Sequence, residues 1–320
     1  MQQTFDFRQL FNDSSIETQT VIKIFASLVV LVVLASVLSS GVFIQPANLL
    51  NLTYQNAILI LVTVGQMLVI VTTGGVDLSI GAVLALSSVL IVLFQDYGLA
   101  GSMAVALAAA LVFGLINGVL VTFVRLPSFV VTLATLLIVS SVAMVISGGG
   151  AVYTGVQGAE LAPQLQMLYK TSFIGIPYPI LFFVVAMVLI ALFLRTSIGH
   201  AAFAIGGNER AAYLSGIPIW VTKISVYLIA ALLAGIGGAL FVGRVGMGDP
   251  QTGKWLALDS IAAVSIGGGN LSGGIGTVSG TLIGVFILSV IDNIMNLLNV
   301  PPTFQPAIKG IVILVAVYLN

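Results

Sequence analysis

The chain has 320 residues, of which 59% are hydrophobic and only 6% charged, where an ordinary soluble domain carries roughly a quarter charged residues. Ten acidic side chains balance ten basic ones, so there is no basic field to attract nucleic acid, and a nucleic-acid partner is not expected. There is no cysteine, which excludes a disulfide framework, a thiolate metal site and a cysteine nucleophile.

Residues Met1 to Thr20 carry Asp6, Arg8, Asp13 and Glu17 and lack the basic start and small-residue cleavage site of a signal peptide. They read as a non-spanning cytoplasmic leader over 1–20, either disordered or resting on the membrane through Phe5, Phe7, Leu10 and Phe11. Residues 21–320 read as one transmembrane domain. A helix needs about 20 mostly apolar residues to cross the hydrocarbon core, and the gaps between charges supply them. Between Lys23 and Asp77 there is no charge, which leaves room for crossings near Val21 to Phe43 and Leu52 to Val71. Further segments follow at Leu78 to Phe94, Met103 to Phe123, Phe129 to Ile146, Ile176 to Leu194, Val221 to Val242, Ser260 to Gly267, Val278 to Leu297 and Ala307 to Leu319. The predicted fold class is therefore all-α and polytopic, with about ten transmembrane segments. The eighth is too short for a plain crossing and runs into Gly267, Gly268, Gly269 and Asn270, which predicts a broken or re-entrant element.

Positive residues in short connections stay cytoplasmic. With the amino terminus inside, Arg8, Lys23, Arg125, Arg195, Arg210 and Lys223 fall on the cytoplasmic side, and Lys170, Arg244 and Lys254 fall outside. This places both termini inside, provided that the eighth segment crosses. Two connections are long enough to hold structure, Gly148 to Gly175 outside and Thr196 to Trp220 inside. In the second, Asn208 is placed to cap a short helix through Glu209, Arg210, Ala211, Ala212, Tyr213 and Leu214, which Gly216 and Pro218 would end. Such a helix suits docking against a cytoplasmic partner as well as it suits an ordinary surface loop.

Several glycines recur four apart: Gly276, Gly280 and Gly284 in one stripe and Gly114 and Gly118 in another, the spacing that lets helix backbones approach closely in lipid. Thr73 to Gly81 (TGGVDLSIG) and Gly267 to Gly276 (GGGNLSGGIG) both place Leu-Ser after Asp or Asn within a glycine cluster. Each copy falls at a break between apolar segments, the pattern of paired interruptions along a transport pathway, although two glycine-rich turns also resemble one another by chance. Neither ends in the Gly-Lys-Ser/Thr of a phosphate-cradling loop, so no nucleotide site is visible in this chain.

Ionisable groups within a membrane are functional candidates. Asp77 and Asp259 each precede a segment and also read as helix caps. Asp292 lies in a polar run with Asn293, Asn296 and Asn299, of which 292, 296 and 299 share a helix face. Gln66 and Asn117 lie near the middle of apolar segments, where an amide needs an internal partner; helix bonding and binding of a hydroxylated solute both satisfy that need. With Asn270, these residues (Gln66, Asp77, Asn117, Asn270, Asp292, Asn293, Asn296) form the candidate pathway set.

Two other classes fit part of the pattern. Gly246 to Asp249 matches the Gly-x-Gly-Asp of membrane aspartyl proteases, but those enzymes need two close carboxylates sharing a proton, and only Asp259 is near in sequence. The sole histidine, His200, lies in the cytoplasmic connection, and there is no His-Glu-x-x-His. No catalytic residue and no metal site is expected. An ion-coupled carrier would use Asp292 to bind a proton or sodium.

Residues 65–81 (GQMLVIVTTGGVDLSIG) resemble the signature of the ribose-type permeases of ATP-binding-cassette (ABC) importers, which take up pentoses, hexoses and related solutes. Ala204 to Ile217 (AIGGNERAAYLSGI) is similar to that family's cytoplasmic coupling segment, and Leu258 to Gly274, with GTLIG at 280–284, to its second glycine-rich block. The ordered matches cover about residues 50 to 320. The related branched-chain amino-acid permeases share the organisation, but their version of the first block is not matched. The resemblance implies a permease subunit in the bacterial inner membrane that moves a monosaccharide or sugar-like solute inward. A nucleoside or an amino acid is the alternative solute. It further implies a second permease copy, a cytoplasmic ATPase that holds ATP and Mg, and a periplasmic or extracellular sugar-binding protein that makes most of the substrate selection. Gly207, Asn208, Glu209, Arg210, Ala211, Ala212 and Gly216 would then belong to the ATPase-coupling segment, with Asn208, Glu209 and Arg210 in contact.

Overall fold

The computed structural model describes residues 16–154, 172–173 and 176–319. Residues 1–15 of the expected leader, and most of the connection expected between Gly148 and Gly175, lie outside the described residues. The described chain is α-helical: α1 (Ile16–Leu38), α2 (Pro46–Thr73), α3 (Ile80–Leu93), α4 (Gly98–Thr122), α5 (Ser128–Ile146), α6 (Tyr178–Leu194), α7 (Ser197–Gly207), α8 (Glu209–Leu214), α9 (Ile219–Val245), α10 (Leu256–Ile266), α11 (Val278–Leu297) and α12 (Gln305–Leu319). Its strands are two-residue pairings: β1 (Val152–Tyr153) with β4 (Met247–Gly248), and β2 (Ser172–Phe173) with β3 (Ile176–Pro177).

All ten predicted apolar segments are helical, but they are not ten equal crossings. Six stretches are long and apolar enough to span on their own, and a seventh arises if α6 and α7, bent by 75°, are taken as one. Helices α3 and α10, of 14 and 11 residues, are short. Helix α1 begins at Ile16, inside the expected leader.

The ends are set by local chemistry. Pro46 starts α2, where its missing N–H costs nothing, and Gly74, at φ 59°, stops it by turning its N–H back to Ile70 O. Gly246, at φ 72°, stops α9 in the same way on Val242 O. Thr277 opens α11 by accepting the Gly280 N–H at 3.0 Å.

Helix α2 is the axis of the bundle. Of its most apolar window 89% is buried, against 11% for α1, and the exposed apolar side chains of α1, α4, α5 and α6 form much of the outer surface of the bundle. Around α2 pack α9, α10 and α11. The glycine stripes serve this packing. A Cβ on Gly114 would lie 2.7 Å from Ala231 Cβ of α9, and one on Gly118 would lie 3.1 Å from Ile224 Cα. Gly276 sits 2.6 Å from Val71 Cγ2 on the same measure, while Gly280 and Gly284 meet the backbones of Gly267 and Ala263. Small residues here permit close helix approach where lipid supplies no hydrophobic drive between helices.

Contacts also fix which ends lie together. Thr20 and Ile24 of α1 meet Gly268, and Gly206 of α7 meets Val71 of α2 and Gly274, so the starts of α1 and α11 lie at the end that carries α7 and α8, the loop end. At the opposite end Asn48 pairs with Asn293, and Gln305 donates to Asn296 at 3.0 Å, so α12 begins there and runs back. The eighth segment therefore does complete a passage, as α10 together with the irregular stretch before it.

Candidate functional site

Two clusters of chemistry stand out at the loop end. The first surrounds the break between α2 and α3. Asp77 is 4% exposed, and its Oδ1 accepts the Ser79 N–H at 2.8 Å and the Ser79 hydroxyl at 2.6 Å. Asp77 thus holds the first N–H groups of the turn that leads into α3, the capping geometry expected for a helix entered at Leu78, and the regular part of α3 begins at Ile80. Asn117 of α4 donates to Ser79 Oγ at 2.9 Å and accepts from Thr135 Oγ1 of α5 at 2.6 Å. Gln66 of α2, its amide oriented by these partners, pairs with both the N–H and the C=O of Asp77 at 3.0 Å. Ser128 and Thr132 of α5 both donate to Val76 O, and Ser128 Oγ lies 2.6 Å from the Tyr227 hydroxyl of α9. Four helices thus hold the break by hydrogen bonds between buried groups. Gln66, Asp77 and Asn117, expected as pathway residues, are brought together, yet their polar atoms point at protein.

The second cluster is a three-way meeting of glycines. The Gly274 N–H donates to Val71 O at 2.9 Å. A Cβ on Gly74 would fall 2.5 Å from Ser272 O, one on Gly206 would fall onto Val71 O, and one on Gly274 would fall 3.0 Å from Gly207. The two glycine-rich blocks and the end of α7 therefore touch backbone to backbone, which residues with side chains would prevent. Asn270 shapes this loop, its Oδ1 accepting the Ser272 N–H at 2.9 Å and its N–H donating to Ile275 O at 3.0 Å. The α2–α3 break is braced on all sides. The 267–276 loop is held mostly by its own backbone and by α7.

The connection from Thr196 to Trp220 folds as two short helices. Thr196 caps α7 and Asn208 caps α8, the latter accepting the Ala211 N–H at 3.0 Å, and Gly216 turns the chain out at φ 78°. Glu209, expected to face a partner, is paired at 2.8 Å with Lys223 of α9, a lysine whose side chain is only 8% exposed. Glu209 nevertheless keeps 55% of its side chain exposed, and Arg210, Tyr213 and Leu214 also face outward, the last two 70% and 77% exposed. Sequence reasoning passed over this apolar pair, although a Tyr-Leu end on a polar six-residue helix was a visible signal.

In the half of the bundle towards the opposite end, but inside it, Lys309 lies 2.9 Å from Asp292 and 3.4 Å from Asp259. Asp259 therefore pairs with a lysine and does not cap α10, whose N-cap is Trp255. Asn293 exchanges two 2.9 Å bonds with Asn48, which ties α11 to the start of α2. Asp292 and Asn293 thus join helices, while Asn296 stays exposed. Lys309 sits within an apolar terminal segment and gave no sign of its role. Changing Lys309 to Met leaves two facing carboxylates in a half-buried site, and should cost about 1–3 kcal/mol. The check is thermal unfolding in detergent, where adding Asp259→Asn should restore part of the loss.

Comparison with known proteins agrees with this geometry. The family model described as "Branched-chain amino acid transport system / permease component" matches residues 48–317. The chain belongs to this permease family. Within it, the chain is 41% identical over 299 residues to the ribose import permease protein RbsC of Bacillus subtilis strain 168, covering 92% of this chain and 91% of that one. It is 35% identical to the L-arabinose ABC transporter permease protein AraH of Azospirillum brasilense, over 87% of this chain and 81% of that one. It is 30% identical to the xylose transport system permease protein XylH of Haemophilus influenzae Rd, over 97% and 98%. These relatives carry sugar names within a family named for branched-chain amino acids, in line with the sugar-type form of the first glycine block.

Proposed function

We propose that the chain is the membrane-spanning subunit of a bacterial ABC importer, carrying a monosaccharide or sugar-like solute inward on ATP hydrolysed by a separate subunit. One observation carries the reading: the capped α7–α8 unit abuts both glycine-rich breaks, so a force on that unit reaches the transmembrane breaks through backbone contacts. Membership of a permease family with sugar-permease relatives supports the solute class.

In this reading the loop end is cytoplasmic, with both termini on that side, and ATP and Mg sit on the partner ATPase. Arg210, Tyr213 and Leu214 meet that ATPase, while Glu209 holds α8 to α9 through Lys223. A sugar-binding protein delivers the solute at the opposite end, and a second permease copy completes the assembly in the inner membrane. The hydrolase reading loses its residues. Asp249 Oδ1 accepts the Gln251 N–H at 2.9 Å, and Asp259 pairs with Lys309, which speaks against a shared-proton dyad. The ion-carrier reading is weakened, because Asp292 Oδ2 pairs with the same lysine and family membership with sugar-permease relatives favours the importer.

A double change of Arg210 to Glu and Tyr213 to Ala should cut ATPase co-purification about tenfold or more, because it replaces two anchors of types favoured at interface hot spots, while membrane insertion persists. Unchanged co-purification with unchanged uptake would sink the docking assignment.

A further inference from the structure

The stretch between α9 and α10 was expected to be an external loop, and its packing places it far deeper. The Asp249 N–H donates to Ser88 Oγ at 3.2 Å, and Gly248 and Gly253 pack on the α3 backbone at Ser88 and Gly81. Gly81 lies in the first turn of α3, about 18 Å by helical rise below Leu93. Leu93 is at the opposite end, where it lines a small recess with Ser147 and Val152, just past the end of α5. Residues 249–255 therefore descend along α3 as irregular backbone to roughly the middle of the bundle. There Pro250, Gln251, Gly253 and Lys254 close one wall of a cavity of about 360 Å³, whose other walls are α3 and the middle of α5 at Leu137 and Ser140.

Two facts make this wall functional. Irregular backbone at membrane depth is tolerated only against protein or a water-filled cavity. Gln251 and Lys254 are exposed at that depth, and Lys254 takes part in no ion pair among the described residues. Hydrocarbon would not accept an uncompensated ammonium group there. We infer that this cavity is a wet, mid-membrane station on the solute path, where the Lys254 ammonium and Gln251 amide meet the hydroxyls of a polyhydroxylated solute. The lining is otherwise mostly apolar, with Ala82 and Ala85 on α3 and Leu136, Leu137 and Met144 on α5. Such a wall lets a hydroxylated ring pause and leave, as a path requires, where a dense polar site would hold it. The station rests on the importer reading for the identity of its solute. Its wetness does not.

The natural chain has no cysteine, so single cysteines can be read without background. Gln251→Cys and Lys254→Cys, in the full importer in membrane vesicles, are labelled with a charged, water-soluble methanethiosulfonate, with Val112→Cys on the exposed face of α4 as the lipid-facing reference. Labelling of both should exceed the reference about tenfold, since thiolates form in water and not in hydrocarbon. The solute at saturating concentration should slow that labelling about threefold, and Lys254→Met should lower uptake about tenfold. Labelling no faster than at Val112→Cys, or full uptake by Lys254→Met, would overturn the station. ATP-driven uptake by the unmodified importer is recorded in the same vesicles. If it is absent, the importer reading fails, and the labelling still decides whether the cavity is wet.

Discussion

Replacing Gly206 with valine should abolish transport, while changing its neighbour Gly207 to alanine should leave transport intact. The two glycines are adjacent at the end of α7, yet their surroundings differ completely. A Cβ on Gly206 would fall onto Val71 O and 2.6 Å from Gly274 N, whereas one on Gly207 would meet nothing within 4 Å. Because the obstacles are backbone atoms, no rotamer change relieves them, and α7 must move off α2. Overpacking of this type costs about 1–3 kcal/mol, and the Gly274 N–H to Val71 O bond is lost with it, about 1 kcal/mol more. The larger consequence is functional. Prising α7 from the 267–276 loop severs the contact through which motion of the docking unit would reach α10 and α11. Uptake in vesicles should fall to background for Gly206→Val at normal membrane abundance. Uptake by the variant at the level of the Gly207→Ala control would rule out the junction as the coupling contact.

Changing Asn117 to Leu should be the most damaging isosteric change within the core. It removes two buried bonds at once, to Ser79 Oγ at 2.9 Å and from Thr135 Oγ1 at 2.6 Å. It also loosens the support of Asp77, a carboxylate 4% exposed that leans on Ser79. Bonds between transmembrane helices are worth less than isolation would suggest, because the unfolded chain in the bilayer finds other partners. An unpartnered buried hydroxyl nevertheless costs about 1–3 kcal/mol, and the unfolding midpoint in detergent should fall accordingly. Thr135→Val should restore part of the loss on top of Asn117→Leu, since it removes the orphaned hydroxyl, and a double-mutant cycle measures the coupling.

How much of this was legible in the sequence depended on the range of each interaction. The Asn208 cap was visible because donor and acceptor lie three residues apart. The apolar segments were visible because a helix in lipid must satisfy its backbone internally, which makes hydropathy nearly a structural readout. The glycine stripes announced close approach but not to what, and only the fold brings Gly74, Gly206 and Ser272 to one point. Lys309 was hidden because its acids lie on other helices, with Asp259 fifty residues away in the chain. The packing of residues 248–253 along α3 was hidden because hydropathy records that a stretch is polar and irregular, not that it dips. Gln66 gave half its role away: a mid-span amide needs a partner, but a peptide group of the break just past its own helix, folded back beside it, leaves no mark in composition.

The central claim is that this chain moves a monosaccharide on another subunit's ATP. Reconstitution in liposomes tests it most directly: the chain with its ATPase and sugar-binding protein, against the chain alone under a proton or sodium gradient, each scored for uptake of labelled monosaccharide. The account predicts uptake only when ATP, ATPase and binding protein are all present. Uptake by the chain alone, driven by an ion gradient, would contradict it.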